Sequence, residues 1–149
     1  MPEKYYYSNE EFDLDTNVIQ TQIEEFNNPH LVALYRGGLP LGVKLSNTMG
    51  LPLSIVNFQS YDGDSSEPIL AINDNIKEGQ TLVIVDDILD TANSIKKTKE
   101  MLKQKFDNPI KSFTLVGNDF RASLHDDTEY ITKSGGQWVV FPWETKWVL

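Results

Sequence analysis

The chain has 149 residues, with 13 Lys and Arg against 22 Asp and Glu, a formal charge of −9 and no cysteine. Its 40% hydrophobic and 23% charged content is that of one globular domain, which excludes collagen-like, low-complexity and wholly disordered classes. The acid excess argues against a surface built for nucleic-acid phosphates, and the missing thiols exclude disulfides, thiolate catalysis and Cys-ligated zinc.

Met1 to Asp13 is polar and aromatic with no apolar signal-peptide core. The longest apolar runs, Leu31 to Tyr35 and Leu82 to Val85, fall far short of a membrane span. These features lead to the expectation of a soluble cytoplasmic protein without membrane or nucleic-acid partners.

Asp15 to Phe26 places Val18, Ile19, Gln22, Ile23 and Phe26 on one stripe, which predicts an amphipathic helix. Leu31 to Tyr35 reads as a strand ending in the turn Arg36-Gly37-Gly38, and Leu41 to Met49 as a helix stopped by Gly50. Leu53 to Phe58 is a predicted strand, Ser60 to Glu67 a polar loop, and Ile69 to Ile72 a second short strand. Thr81 to Val85 lacks any polar alternation, the mark of a parallel strand covered on both faces. After a turn over Asp86 to Asn93, a helix turns Ile95, Thr98, Met101, Leu102 and Phe106 inward. Its lysines at 96, 97, 99, 103 and 105 form a solvated face. Phe113 to Val116, the weaker Tyr130-Ile131, and Trp138 to Phe141 complete the strands.

Strands alternating with helices define one α/β domain over residues 1–149, a mainly parallel twisted sheet flanked by helices. Ligands of such sheets bind beyond the carboxyl ends of the strands. That rule directs attention to Arg36-Gly37-Gly38, to Asp86 through Ser94, and to Asn118-Asp119.

Asp86, Asp87 and Asp90 put three carboxylates within five residues, followed by the Thr91 and Ser94 hydroxyls at the start of a helix. Carboxylates can hold Mg²⁺ or sugar hydroxyls, and a helix N-terminus offers amide donors to phosphate. A ligand with a polyol at one end and a phosphate at the other suits that pattern. The plain alternative is a solvated turn in which Asp90 or Thr91 caps the helix. Neither a G-x-x-x-x-G-K-[ST] loop nor a G-x-G-x-x-G fingerprint is present, and Ile88 occupies the position where an aspartyl phosphatase needs its second acid.

Thr81 to Ser94 resembles the phosphoribosyl-diphosphate (PRPP) signature of type I phosphoribosyltransferases. Tyr35-Arg36-Gly37-Gly38-Leu39 resembles their diphosphate loop, Ser60-Tyr61 the start of their mobile lid, and Trp138 to Glu144 the base-binding end of xanthine–guanine and hypoxanthine enzymes. The resemblance implies a small base-binding hood from the terminal segments. It also implies a Mg²⁺-dependent transfer of 5-phosphoribose from PRPP to a purine in nucleotide salvage, releasing diphosphate, by a homodimer or homotetramer. Position by position, it assigns Asp86 and Asp87 to the ribose hydroxyls, with Asp87 toward the metal. Asp90 becomes the catalytic residue beside the base ring nitrogen, as proton acceptor or hydrogen-bond partner, and Thr91, Ala92, Asn93 and Ser94 become the phosphate cradle. Arg36 and Gly37 fall to diphosphate, Trp138 to base stacking, the Val139 main chain and Asn118 to the base edge, and a cis peptide is expected near Arg36.

Three residues or segments depart from the family pattern: Ala92 stands for a usual Gly, Asn118 for a usual Lys, and the lid carries Asp62, Asp64 and Glu67 with no basic residue. Two alternatives therefore stay open, a PRPP- or nucleotide-binding regulatory protein without catalysis and an enzyme for a non-purine base. His30 and His125 receive no catalytic role, and Trp143 and Trp147 read as packing or interface residues.

Overall fold

A computed structural model describes residues 3–61, 65–89, 93–118 and 127–147. Strand β1 (Lys4–Tyr6) leads into α1 (Asn9–Ile23), which starts six residues earlier than the apolar stripe predicts. The reason is local. Ser8 Oγ accepts from the Glu11 amide at 3.0 Å and Glu11 Oε1 accepts from the Ser8 amide at 3.2 Å, a reciprocal cap that fixes the first turn. The buried face is Asp15, Thr16, Ile19 and Ile23, while Val18, expected inside, is 43% exposed and Phe26 lies beyond the helix end.

Next come β2 (Pro29–Leu34), α2 (Leu39–Met49), β3 (Leu53–Tyr61), β4 (Ser65–Ile72), β5 (Thr81–Leu89), α3 (Asn93–Lys105), β6 (Ile110–Gly117), β7 (Glu129–Lys133) and β8 (Trp138–Val140), then a short 3-10 helix, Pro142–Trp147. Six strands form one sheet in the order β4-β3-β2-β5-β6-β7, parallel throughout except for β4. The expected single α/β domain with a mainly parallel sheet is thus the architecture found.

Two expectations change. The polar loop over Ser60 to Glu67 is instead mostly hairpin: β3 runs to Tyr61 and β4 starts at Ser65, with Gln59 paired to Glu67, Ser60 to Ser66 and Tyr61 to Ser65. Antiparallel pairing satisfies backbone groups whatever the side-chain polarity, so a polar composition conceals the strands. Residues 62–64 lie outside the described residues. The second change is that β5 continues through Asp86 and Asp87 to Leu89, held by β6 from Asp86 opposite Thr114 to Leu89 opposite Gly117.

Alternation along the buried strands supplies two cores. Leu31, Ala33, Val83 and Val85 pack with Ile19, Ile23, Leu41 and Leu45 of the α1–α2 layer. Val32, Leu34, Leu82 and Ile84 pack with Ile95, Met101 and Leu102 of α3. Helices therefore cover both faces of the sheet, as doubly buried strands require. The terminal strands pair with each other: β1 lies parallel to β8, with Lys4, Tyr5 and Tyr6 opposite Trp138, Val139 and Val140. This small second sheet docks on the α1–α2 side through Tyr7, Val139 and Phe141, and it matches the hood that the resemblance implied.

His30 sits at the amino end of β2, the end opposite the strand carboxyl termini, and is fully buried. Its Nδ1 lies 3.2 Å from Gln80 Oε1 and its Nε2 lies 2.8 Å from Ser54 Oγ, a structural network. Burial lowers its pKa below the ordinary 6.5, so the unfolded chain takes up this proton first as pH falls. Stability from this residue is present above pH 6.5 and is lost as pH drops through and below it. Scanning calorimetry at about pH 7.5 and pH 5.5 should show a smaller fall in Tm for His30→Gln than for the parent chain.

Candidate active site

The chain leaves β2 through α2 toward β3 on one side, and leaves β5 through α3 toward β6 on the other. The neighbouring strands β2 and β5 are therefore the point where the winding reverses, and a crevice opens beyond their carboxyl ends. Arg36-Gly37-Gly38 follows β2, and Asp86 and Asp87 occupy the last part of β5. These two segments meet. A Cβ built on Gly37 would lie 2.6 Å from Asp87 Cγ and 2.8 Å from Asp87 Oδ1, so only a glycine leaves room for that carboxylate. One on Gly38 would lie 2.8 Å from the Leu34 oxygen and 2.9 Å from the Leu34 nitrogen. The Tyr35–Arg36 peptide just before these two glycines is cis, at the position where the resemblance leads one to expect it.

The carboxylates are fixed by their own backbone. Asp86 Oδ1 accepts from the Asp87 amide at 2.9 Å, and Asp87 Oδ1 accepts from the Ile88 amide at 2.7 Å. Val85 and Ile88 both pack on the α1–α2 side although they are three residues apart, so the strand alternation breaks across the acid pair. Both acids are half-buried. Burial raises the pKa of Asp86 well above the carboxylate range, and the charge of Asp87 adds to it. Burial also raises that of Asp87, with the charge of Glu144 contributing in the same direction.

A cavity of about 360 Å³ opens beside Asp87, lined by Ile88, Asn118, Gly136, Gln137, Trp138, Val139, Phe141 and Glu144. Its wall is assembled from the ends of β5 and β6 and from the hood. The Asn118 amide donates to the Leu89 oxygen at 2.9 Å, and the Trp138 amide to the Glu3 oxygen at 2.9 Å. Trp138 is 65% exposed, an indole held at a cavity mouth rather than in the core. Behind it Phe141 stacks on Trp143 at 4.9 Å between ring centroids, with Phe12 edge-on to Trp143 at 5.2 Å. Trp143 is thus a packing residue, as expected.

Of the residues singled out in the sequence, the structure joins Gly37 to Asp87, and Asp87, Asn118, Trp138 and Val139 to one cavity. Arg36 lies exposed after β2, and Asn93 and Ser94 lie exposed at the start of α3; none of them lines the cavity. Asp90, Thr91 and Ala92 lie outside the described residues, as do the side chains of Ser60 and Tyr61. Sequence reasoning missed the wall residues Ile88, Gly136, Gln137, Phe141 and Glu144. Two signals were available: three of them adjoin Trp138 or lie in the segment Trp138 to Glu144, and Gly135-Gly136 is a turn dipeptide, with both residues at positive φ (62° and 81°).

The acid pair costs stability. Because each native pKa is raised, the ionised carboxylate at neutral pH is worse off folded than unfolded. Asp86→Asn keeps an acceptor for the Asp87 amide and removes the charge. Its Tm should rise by about 2–4 °C, for a gain on the order of 1 kcal/mol. A Tm at or below that of the parent in thermal unfolding would contradict the stated cause.

A crevice at a winding reversal, bounded by a glycine turn and paired acids and walled by the terminal strands, is where sheets of this kind bind their ligands. The comparisons agree. The model of the phosphoribosyl transferase domain matches residues 6–148, and the chain belongs to this family of transferases. Hypoxanthine-guanine phosphoribosyltransferase of Streptococcus pyogenes is 28% identical over 138 residues, 87% of this chain and 77% of that protein. The crystal structure of a purine phosphoribosyltransferase from Pyrococcus horikoshii superposes with a TM-score of 0.78 at 27% identity, covering 95% of this chain and 94% of the other. Helicobacter pylori xanthine-guanine-hypoxanthine phosphoribosyltransferase gives 0.79 at 27% identity with the same coverage.

Proposed function

We propose that the protein transfers 5-phosphoribose from PRPP to a ring nitrogen of a purine of the xanthine, guanine or hypoxanthine type, as in purine salvage. The single observation that carries this reading is the cavity shared by Asp87 and the exposed Trp138, a carboxylate for the sugar side and an indole plate for the base. The bond between C1′ and diphosphate breaks, the base nitrogen bonds to C1′, and the nitrogen's proton leaves. An oxocarbenium-like sugar gathers positive charge on the way, which fixed carboxylates stabilise. In this reading Asp86 and Asp87 face the ribose, and Asp90 accepts the proton or hydrogen-bonds the base. Thr91, Ala92, Asn93 and Ser94 hold the 5′-phosphate, Arg36 and Gly37 hold diphosphate, Trp138 stacks on the base, and Asn118 and the Val139 main chain read its edge. Ser60 and Tyr61 belong to the covering hairpin.

The residues present fit Mg²⁺. It is a hard ion that takes one or two carboxylates together with substrate oxygens and water. Asp87 would hold it with Asp86 adjacent, and among the described residues no group of three or more acids or histidines forms a self-sufficient metal cage. When bound, the ion neutralises the departing diphosphate. Among the described residues no helix is long and apolar enough to cross a membrane. The same reading takes the protein as a cytoplasmic homodimer or homotetramer.

Incubation with PRPP, Mg²⁺ and a panel of nucleobases should release diphosphate with at least one purine, and Asp90→Asn should abolish the release. PRPP binding without release for any base would instead favour a regulatory protein on the same fold.

A further inference from the structure

Asp15 is a carboxylate with only 8% exposure, set in the middle of α1 and given no part in the proposed transfer. Its Oδ2 accepts two hydroxyls, Tyr7 Oη at 2.7 Å and Thr132 Oγ1 at 2.7 Å. The donors come from opposite ends of one stretch of wall. Thr132 stands on β7, just before the turn that carries Gly136 and Gln137 to the cavity. Tyr7 follows β1; its amide donates to the Val140 oxygen at 2.9 Å, and its ring centroid lies 5.2 Å from that of Phe141. Between these anchors run Gly136, Gln137, Trp138 and Val139, which line the cavity.

A carboxylate this far from water is costly unless bonded, and an apolar residue would join α1 to the sheet without that cost. What the carboxylate adds is a fixed distance and direction to two side chains at once. Burial and the bond to Asp15 push the Tyr7 phenol further above its ordinary 10, so it remains a donor at neutral pH. We propose that Asp15 is a positioning residue for base binding: one oxygen on α1 holds both ends of the wall segment and so sets where Trp138 and Val139 meet the base. This rests on the reading of the cavity as the base site.

Tyr7→Phe and Thr132→Val each remove one hydroxyl and keep the bulk of the side chain. In steady-state diphosphate release with the purine the parent uses best, either variant should raise KM for the base about fivefold to tenfold. KM for PRPP should change less than about twofold. Because releasing either end frees the same segment, the double variant should be no worse than the worse single one. Asp15→Ala should match the double variant. In Asp15→Asn the amide oxygen can still take both hydroxyls, so KM for the base should stay within about threefold of the parent. Should Asp15→Ala not fold, the two hydroxyl variants carry the test alone. The proposal is overturned by base and PRPP constants that move together, by effects that multiply in the double variant, by an Asp15→Asn as poor as Asp15→Ala, or by a lowered Tm with both constants unchanged. An inactive parent would overturn the transferase reading instead. Hydrogen exchange then decides on Asp15: in both hydroxyl variants the Gln137 and Trp138 amides must exchange at least about tenfold faster, with those of β5 unchanged. Unaltered exchange at those two amides overturns the proposal.

Discussion

Gly37→Ala should lower kcat/KM for phosphoribosyl transfer by at least about 100-fold and leave the protein folded. The methyl group would fall within 3 Å of Asp87 Cγ and Oδ1, so the carboxylate must swing away from the place where β5 presents it. Misplacing a catalytic group by about 1 Å commonly costs that much rate. The displaced atoms are the end of a side chain, which can move at the cost of its bond to the Ile88 amide. Gly38→Ala is the contrast. Its methyl group would strike the backbone of Leu34 at 2.8–2.9 Å, and Leu34 is 2% exposed in the middle of the sheet. Neighbouring glycines thus separate by readout: the first variant loses turnover with little change in Tm, while the second loses soluble, folded protein. Full activity in Gly37→Ala would mean that Asp87 has no role at the position the structure gives it.

Trp138→Ala should raise KM for the base about tenfold to a hundredfold while Tm shifts by no more than about 1 °C. Base–aromatic stacking contributes roughly 1–3 kcal/mol per base. An indole that is 65% exposed returns little to the folded state, so truncation removes binding energy without opening a core cavity. Steady-state kinetics with saturating PRPP and varied base, beside thermal unfolding, checks both halves of this statement. A large drop in Tm with unchanged KM would make Trp138 a packing residue.

Much of this was written plainly in the chain. The uninterrupted apolar run Leu82 to Val85 announced a doubly covered parallel strand, and the acids directly after it marked the crevice end of the sheet. Less legible was the start of α1, because the apolar stripe begins several residues after the Ser8–Glu11 cap that sets the helix. The hairpin of β3 and β4 was hidden by polar residues whose backbone pairing owes nothing to hydrophobicity. Glu144 closes the segment Trp138 to Glu144, and nothing in the local sequence ties it to the acid pair, since only the packing of the hood on β5 and β6 brings it to the same cavity as Asp87. Contacts of this kind depend on a chain reversal that no local pattern encodes.

The pairing of β1 with β8 has a consequence for how the protein matures. Residues 134 positions apart, Glu3 and Gln137, are joined across that seam, so the wall beneath the indole closes only when the two far-separated segments meet. Loop-closure entropy makes such a junction a late event in folding. Trimming Glu3 to Tyr6 would therefore remove the strand that β8 pairs with, together with the Glu3 oxygen that accepts from the Trp138 amide, and leave the six-stranded sheet that carries Asp86 and Asp87.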